Sequence, residues 1–332
     1  MAAVPENLTE KLDQLYSTTW QIMRNKVVDQ IFKATPLWYW LYSKGRKRGE
    51  SGGRWIGAPL LYGKNTTVKT IGRGGSVDIT DDELITTARF DWKWLIANVI
   101  RYYTDDQVNQ GQNQIMSLMQ AKLKTAELSM VDALEAMVFA DGTGNGGKDF
   151  MGLQGIIKAT FTGDTLGGID AATNTWWQNQ YKDCTGAAGD SIAKLKAGLV
   201  NLYNTVSVGN DHPTLLIGCQ AFYEWYELYC LVNILRVYDT SLGDIGFEAL
   251  KYKGAALTFS PSAPDAKLYY LNDRYLEFVY DTGADFYMTE WKPIPNQLDR
   301  VAQIVLQGNL TVNNRRMHGL MGTPAAASLP VT

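Results

Sequence analysis

Residues 211–229 read DHPTLLIGCQAFYEWYELY, residues 246–261 GFEALKYKGAALTFSP, residues 267–280 KLYYLNDRYLEFVY, and residues 291–322 WKPIPNQLDRVAQIVLQGNLTVNNRRMHGLMG. These four stretches decide the fold class. Most of their apolar runs are short, rich in Leu, Val, Ile and Tyr, and closed by Gly, Pro, Asn or Asp, which predicts strands separated by turns. The CQAFYEWYELYC segment instead carries its rings at helical spacing, so PTLLIG is a strand feeding a helix. No catalytic constellation interrupts these segments. What they contain is material for packing.

Upstream, Ile192, Leu195, Leu199, Leu202 and Val206 share one face of a helix over 191–206, with Asp190 as its N-cap. Helices alternating with strands predict a mixed α/β domain over residues 149–265. The strands from 266 to 312 are expected to rejoin a second, discontinuous domain built on a long helix. That helix has the strongest local signal. Thr104-Asp105-Asp106-Gln107 forms a capping box. Val108, Ile115, Met119, Ala126, Met130, Leu134 and Met137 then keep one face until Asp141-Gly142 stops the helix near Ala140. At ~1.5 Å per residue it is roughly 54 Å long.

The first hundred residues read as appendages. Leu8, Leu12, Leu15, Ile22, Met23, Val27 and Ile31 predict an amphipathic helix over 6–33, which must dock on something. PLWYWLY at 36–42 is an aromatic cluster, either a buried anchor or an interface plug. KGRKRGESGGR at 44–54 reads as a flexible basic loop or hinge. Residues 55–100 are expected to form strands of a long hairpin. Val68 and Ile71 lie in one polar strand, Ile79 follows a turn at 73–75, and LITTARFDWKWLIANVI closes the unit. A long hairpin with a glycine-rich tip has little core of its own and should lie on a partner. TPAAASLPVT, residues 323–332, reads as a loosely ordered tail.

Composition narrows the function. The chain has 332 residues, 45% hydrophobic and 20% charged, enough for a sizeable core in about two domains. Its 10 Trp and 18 Tyr are residue types enriched at the centres of interfaces. A net charge of −3 argues against a dedicated nucleic-acid binder, which would carry a basic stripe. Cys184, Cys219 and Cys230 are far apart and odd in number, so neither a disulfide framework nor a zinc site is expected. No run approaches the ~18 apolar residues of a membrane span, and MAAVPENLTEKLDQ does not have the form of a secretory signal.

Catalysis finds few candidates. His212 precedes Pro213 at a strand entry, and His318 follows Arg315 and Arg316; neither sits in a His-Glu-x-x-His or Cys/His cluster. GTGNGGKD at 142–149 has the Gly-x-x-x-x-Gly-Lys spacing of a phosphate loop. It puts Asp149 where a magnesium-binding hydroxyl belongs, and it follows a long helix rather than a strand. It reads as a helix-terminating loop. No catalytic, cofactor-binding or metal residue is assigned. The candidate inter-subunit contacts are Trp38, Trp40, Arg46, Lys47, Arg48, Asp81, Asp82, Glu83, Arg315 and Arg316. The acidic run 81–83 is a solvated turn, a match for a basic patch such as 46–48 or 315–316 on a neighbour, or a cation-binding turn.

The order of PTLLIG–CQAFYEWYE, GFEALKYKGAALTF, YYLNDRYLEF and IPNQLDRVAQIVLQGNLTVNNRR, with GGIDAATNTWWQNQ at 167–180 upstream, resembles the major capsid proteins of tailed bacteriophages. The resemblance covers most of the chain. It implies an α+β Hong Kong 97-type capsid fold. The parts would be an N-terminal arm (1–43), an extended β-hairpin loop (44–100), a peripheral domain with a long spine helix (101–148 and 266–322), an axial α/β domain (149–265) and a flexible tail (323–332). It also implies self-assembly into pentamers and hexamers of an icosahedral virion shell around double-stranded DNA, assembled in the host cytoplasm. A separate scaffolding protein, a portal and a decoration protein are the implied partners. Because the arm helix starts within the first ten residues, the expectation is a separate scaffold or an already mature form. The alternatives are an encapsulin-like cellular nanocompartment and a soluble α/β enzyme.

Overall fold

The computed structural model describes residues 35–77, 79–104, 112–185, 191–230 and 250–324. The expected arm helix over 6–33, the Asp105–Gln107 part of the capping box, the Asp190 cap and most of the tail lie outside them. Four helices matter: α1 (Pro36–Ser43), α2 (Gln112–Phe139), α3 (Ser191–Val206) and α4 (Gln220–Cys230). The strands are β1 (Lys47–Glu50), β2 (Ile56–Leu61), β3 (Ile85–Phe90), β4 (Lys93–Arg101), β5 (Thr165–Leu166), β6 (Ile169–Asp170), β7 (Gln180–Asp183) and β8 (Leu215–Gly218). They continue with β9 (Leu250–Tyr252), β10 (Ala255–Phe259), β11 (Lys267–Leu271), β12 (Leu276–Asp281), β13 (Tyr287–Met288), β14 (Lys292–Pro293), β15 (Arg300–Val312) and β16 (Gly319–Gly322).

Two six-stranded sheets organise the chain. The first is built around β15. Its N-terminal half pairs with β4, from Arg300↔Arg101 to Gly308↔Lys93, and its C-terminal half pairs with β12. Burial follows that division: inward and outward residues alternate along the first half, and the second half is buried throughout. One face of the first half is therefore open, while the second is covered on both. Gly308 sits at the changeover, where a Cβ would come within 2.7 Å of the Val279 carbonyl oxygen and 2.9 Å of Phe278 Cζ. Helix α2 lies beside β4, turning Leu123, Met130, Leu134 and Val138 inward.

The second sheet runs β7-β16-β11-β8-β10-β9. Leu216 of β8 faces a cluster with Leu199 and Val206 of α3 and Trp225 of α4. Its neighbours Leu215 and Ile217 point the other way, into the main core with Phe278, Leu153 and Trp177. That period-two division makes β8 a central strand with no polar face. Strand β11 is placed the same way, between β8 and β16. This corrects the boundary expected at 266. Strand β11 and the closing strand β16 belong to the second sheet, and of the strands beyond residue 266 only β12 through β15 join the first. The reason is burial: Leu268, Tyr269, Tyr270 and Leu271 have no exposed surface and need covered faces on both sides.

Three further expectations change. Residues 44–54 contain β1, paired in parallel with β12 from Lys47↔Phe278 to Glu50↔Asp281, rather than being wholly a loop. No strand forms among the described residues of 62–84, so Val68 and Ile71 are not in one. Strand β4 leaves the hairpin and becomes part of the first sheet.

Candidate assembly surfaces

The hairpin is the projecting, largely exposed unit of the described residues. Strands β2 and β3 pair antiparallel from Ile56↔Phe90 to Leu61↔Ile85. Near the base Ile56, Ala58, Leu60, Ala88 and Phe90 are buried. At the far end the outward phase of both strands is apolar: Leu61 is 76% exposed and Ile85 73%. Beyond them Val68, Ile71, Val77 and Ile79 are exposed too, Ile79 at 91%. The tip is shaped by polar contacts. Asp82 Oδ2 accepts from the Thr66 amide and hydroxyl, each at 2.8 Å. The Tyr62 ring stacks on Trp176 at 4.9 Å, tethering the end of β2 to the loop after β6. Asp81 and Glu83 remain exposed beside this turn.

The basic run at 46–48 is occupied within its own chain. Arg46 reaches Asp273 at 3.5 Å and Glu277 at 3.9 Å. Lys47 Nζ lies 3.0 Å from Asp285, and Arg48 pairs with Glu50 at 2.8 Å and Glu277 at 3.5 Å. Acidic residues on and beside β12 thus fasten β1 to the sheet.

Trp38, Trp40 and Arg315 are interior residues, a correction to their reading as inter-subunit contacts. Thr35 caps α1 through the Trp38 amide, and Pro36 presets the first turn. The helix then drives Trp38 and Trp40 into the core, with Trp38 edge-on to Phe278 at 4.9 Å. Of the two readings of 36–42, the buried anchor is the one this packing shows. Arg315 has no exposed surface. Its Nη1 lies 2.6 Å from Asp164 Oδ2, its Nε donates to the Ile156 carbonyl, and its guanidinium stands 5.8 Å from the Phe161 ring centre. Burial pulls its pKa down against the opposing pull of Asp164. Lys158 closes the group at 2.7 Å from the other Asp164 oxygen. Asp164 escaped the sequence reading because its partner lies about 150 residues away in sequence. Arg316 beside it is half-buried.

The histidines, thiols and glycine-rich loop are placed by the fold as follows. His318 is fully buried and its pKa is pushed down to about 4, chiefly by burial. His212 packs against Tyr203 instead. Burial raises all three thiols, Cys230 to about 11, which suppresses the thiolate. In the 142–149 loop, Gly144–Gly147 forms a single turn with Asn145 at φ 51°, and Lys93 Nζ donates to the Gly147 carbonyl. No strand leads in and no long helix leads out, so it lacks the frame of a phosphate loop. Among the described residues no group of three or more His, Cys, Asp or Glu could hold a metal, and no helix is long and apolar enough to cross a membrane.

No protein-family model matches the sequence, and no curated protein matches it. Solved structures do. The cyanophage A-1(L) capsid subunit superposes with a TM-score of 0.61 at 13% identity, over 84% of this chain and 90% of the other. The subunit of an empty GTA particle capsid gives 0.56 at 12% identity, over 85% and 89%. The SrpI encapsulin of Synechococcus elongatus gives 0.54 at 12% identity, over 88% and 89%. The chain therefore has the Hong Kong 97-type capsid fold, the α+β architecture of shell-forming subunits. The proteins it superposes on are structural shell components.

Proposed function

We propose that this chain is the major capsid protein of a tailed bacteriophage, assembling through pentamers and hexamers into the icosahedral shell that holds double-stranded DNA. The observation that carries the reading is the β2–β3 hairpin. A subunit folding for itself alone would not leave Leu61, Val68, Val77, Ile79 and Ile85 exposed on one projecting unit. In a shell, each such contact is modest and many act at once. The sheet around β15 with α2 serves as the peripheral domain and the sheet around β8 as the axial domain. DNA is enclosed without sequence readout, in keeping with a net charge of −3. A separate scaffolding protein, a portal and a decoration protein are the partners this role calls for, with assembly in the host cytoplasm. An encapsulin-like compartment is the second reading, favoured by the superposition on SrpI.

Electron microscopy after expression alone and with neighbouring reading frames tests the proposal. Closed icosahedral shells, or free pentamers and hexamers, are expected. Particles filled with a host enzyme and no DNA would move the assignment to the compartment. A uniform monomer or dimer under all conditions would overturn both.

A further inference from the structure

Among the described residues β2 and β3 form a two-stranded sheet of their own, so no pairing with another strand aims the hairpin. Its root is held by the Trp92 indole on the Gly53 carbonyl, at 3.0 Å, and by Asn309 Nδ2 on the Asp91 carbonyl, at 2.8 Å. Residues 158–179 touch the hairpin at two further points. The Gly167 carbonyl, in the β5–β6 turn, accepts from the Arg89 amide at 2.9 Å. Glycine is required there, because φ is +64° and a Cβ would fall 2.8 Å from that of Ala88. The second point is the stack of Trp176 on Tyr62, with ring planes 20° apart. Arg89 stands opposite Gly57 in the ladder, so the two points are separated by about five residues of β2, roughly 17 Å. One contact would leave a pivot, whereas two at that spacing set a direction.

The unit that makes these contacts is cross-tied and seated in the body. Asn179 joins its two ends: Oδ1 accepts from the Lys158 amide at 2.9 Å, and Nδ2 donates to the Lys158 carbonyl at 2.8 Å. Across the middle, the Ala171 amide donates to the Asp164 carbonyl at 2.8 Å and the Gln178 side chain to the Ala171 carbonyl at 2.7 Å. The Trp177 indole donates to the Leu166 carbonyl at 3.1 Å. Leu166, Ala171 and Trp177 lie in the main core together with Ala58, Leu60 and Ala88 of the hairpin. Arg315 fastens the unit to the closing segment through Asp164. We propose that residues 158–179 are a brace that sets the direction of the hairpin, with Trp176 and Gly167 as its positioning residues. A hairpin held in one direction spends less of its contact free energy on ordering when it meets a neighbour. A freed hairpin lowers the assembly-competent fraction of subunits, and apparent affinity falls with that fraction. The inference rests on the shell reading for this consequence alone, since the bracing belongs to the single subunit.

Spin-label distances in the unassembled subunit test this. Labels at Ile79→Cys and Ser129→Cys report the tip against the body; Cys230→Ser removes the half-buried thiol, and Cys184 and Cys219 are buried. The otherwise wild-type chain should give one narrow distance distribution. Trp176→Ala should broaden it, the ratio of braced to free subunits falling roughly two- to tenfold, the range of one lost ring pair. Trp176→Tyr, which returns a ring to Tyr62, should restore it. Gly167→Val wedges the other contact open and, added to Trp176→Ala, should broaden the distribution further. Without labels, assembly at fixed concentration should fall in step in Trp176→Ala and recover in Trp176→Tyr. A distribution already broad in the wild-type background, or unchanged in both Trp176→Ala and the double variant, overturns the brace. So does a Trp176→Ala chain that loses its far-ultraviolet circular dichroism, which would make Trp176 a core residue. Distances that change as expected while Trp176→Ala assembles like wild type overturn the role in assembly. A wild-type chain that never assembles, with the distances as expected, sinks the shell reading and leaves the brace standing.

Discussion

Acid should loosen this subunit through His318. Its ring has no exposed surface and lies where the Arg315–Met317 turn enters β16. Nδ1 accepts from the Asn272 amide at 3.4 Å. Burial holds the ring neutral and lowers its pKa from 6.5 to about 4; Arg315 adds to that effect, and a backbone hydrogen bond with Tyr275 opposes it. The folded value lies below the unfolded one. Between about pH 6.5 and pH 4 the unfolded chain therefore binds a proton that the folded chain refuses, and stability falls as pH falls. One proton corresponds to roughly 1.4 kcal/mol per pH unit. Over this window the loss approaches roughly 3 kcal/mol, a large share of the ~5–15 kcal/mol of a typical domain. Asp141, Asp170 and Asp183 are held below 3.8 by hydrogen bonds from Thr143, Thr173 and Thr185, so their losses come at lower pH. Urea unfolding of the unassembled subunit, followed by tryptophan fluorescence from pH 7 to pH 4.5, reads the effect. Wild type should lose stability relative to His318→Asn as pH drops, although the variant starts lower. Parallel curves for the two proteins, or a His318 ring resonance titrating near pH 6.5, would refute the reasoning.

Other perturbations test the packing. Arg315→Met leaves Asp164 buried without its guanidinium and should cost about 3–5 kcal/mol, most of it recovered when Asp164→Leu is added; a double variant no more stable than the single one would contradict this account of the pair. Trp38→Ala empties a core site and should cost about 3–5 kcal/mol in the isolated subunit; a normal subunit that merely fails to assemble would return Trp38 to an interface. Gly152→Ala would set a Cβ 2.3 Å from the Met137 carbonyl oxygen and 2.4 Å from that of Ala140, so calorimetry should show a loss of about 1–3 kcal/mol. Replacing residues 64–81 by a short glycine linker should leave the unfolding midpoint of the subunit unchanged while sedimentation shows assembly abolished; a large fall in the midpoint would mean that the tip supports its own chain.

What the sequence discloses and what it withholds divide along the range of the signal. Helix α3 starts and ends where periodicity places it, and the PTLLIG strand and the helix after it fall where read, because each is written in consecutive residues. KLYYL and LEFVY look alike and stand four residues apart, yet they join different sheets. Their assignment depends on β8 and β15, which are distant in sequence, and no local pattern records it. The basic run at 46–48 looks solvated for the same reason: its acids come from Asp273, Glu277 and Asp285. Two neighbouring arginines read as a surface patch until Asp164 is found against one of them.

The candidate assembly surface shows the reverse relation. Val68, Val77 and Ile79 sit among Gly, Lys, Thr and Asp, where no periodicity can place them in a core. A sequence reading can only put them in a strand and require a partner for it. The fold buries Leu, Trp, Phe and Tyr side chains in two contiguous clusters and draws none of these three residues into either. Single exposed apolar residues are ordinary. Several on one projecting hairpin, outside both core clusters, mark a surface that a partner would cover. The stability of the subunit and its ability to assemble should therefore be separable by mutation: changes at Trp38 or Arg315 act on the first, and changes at Val77 or Ile79 on the second.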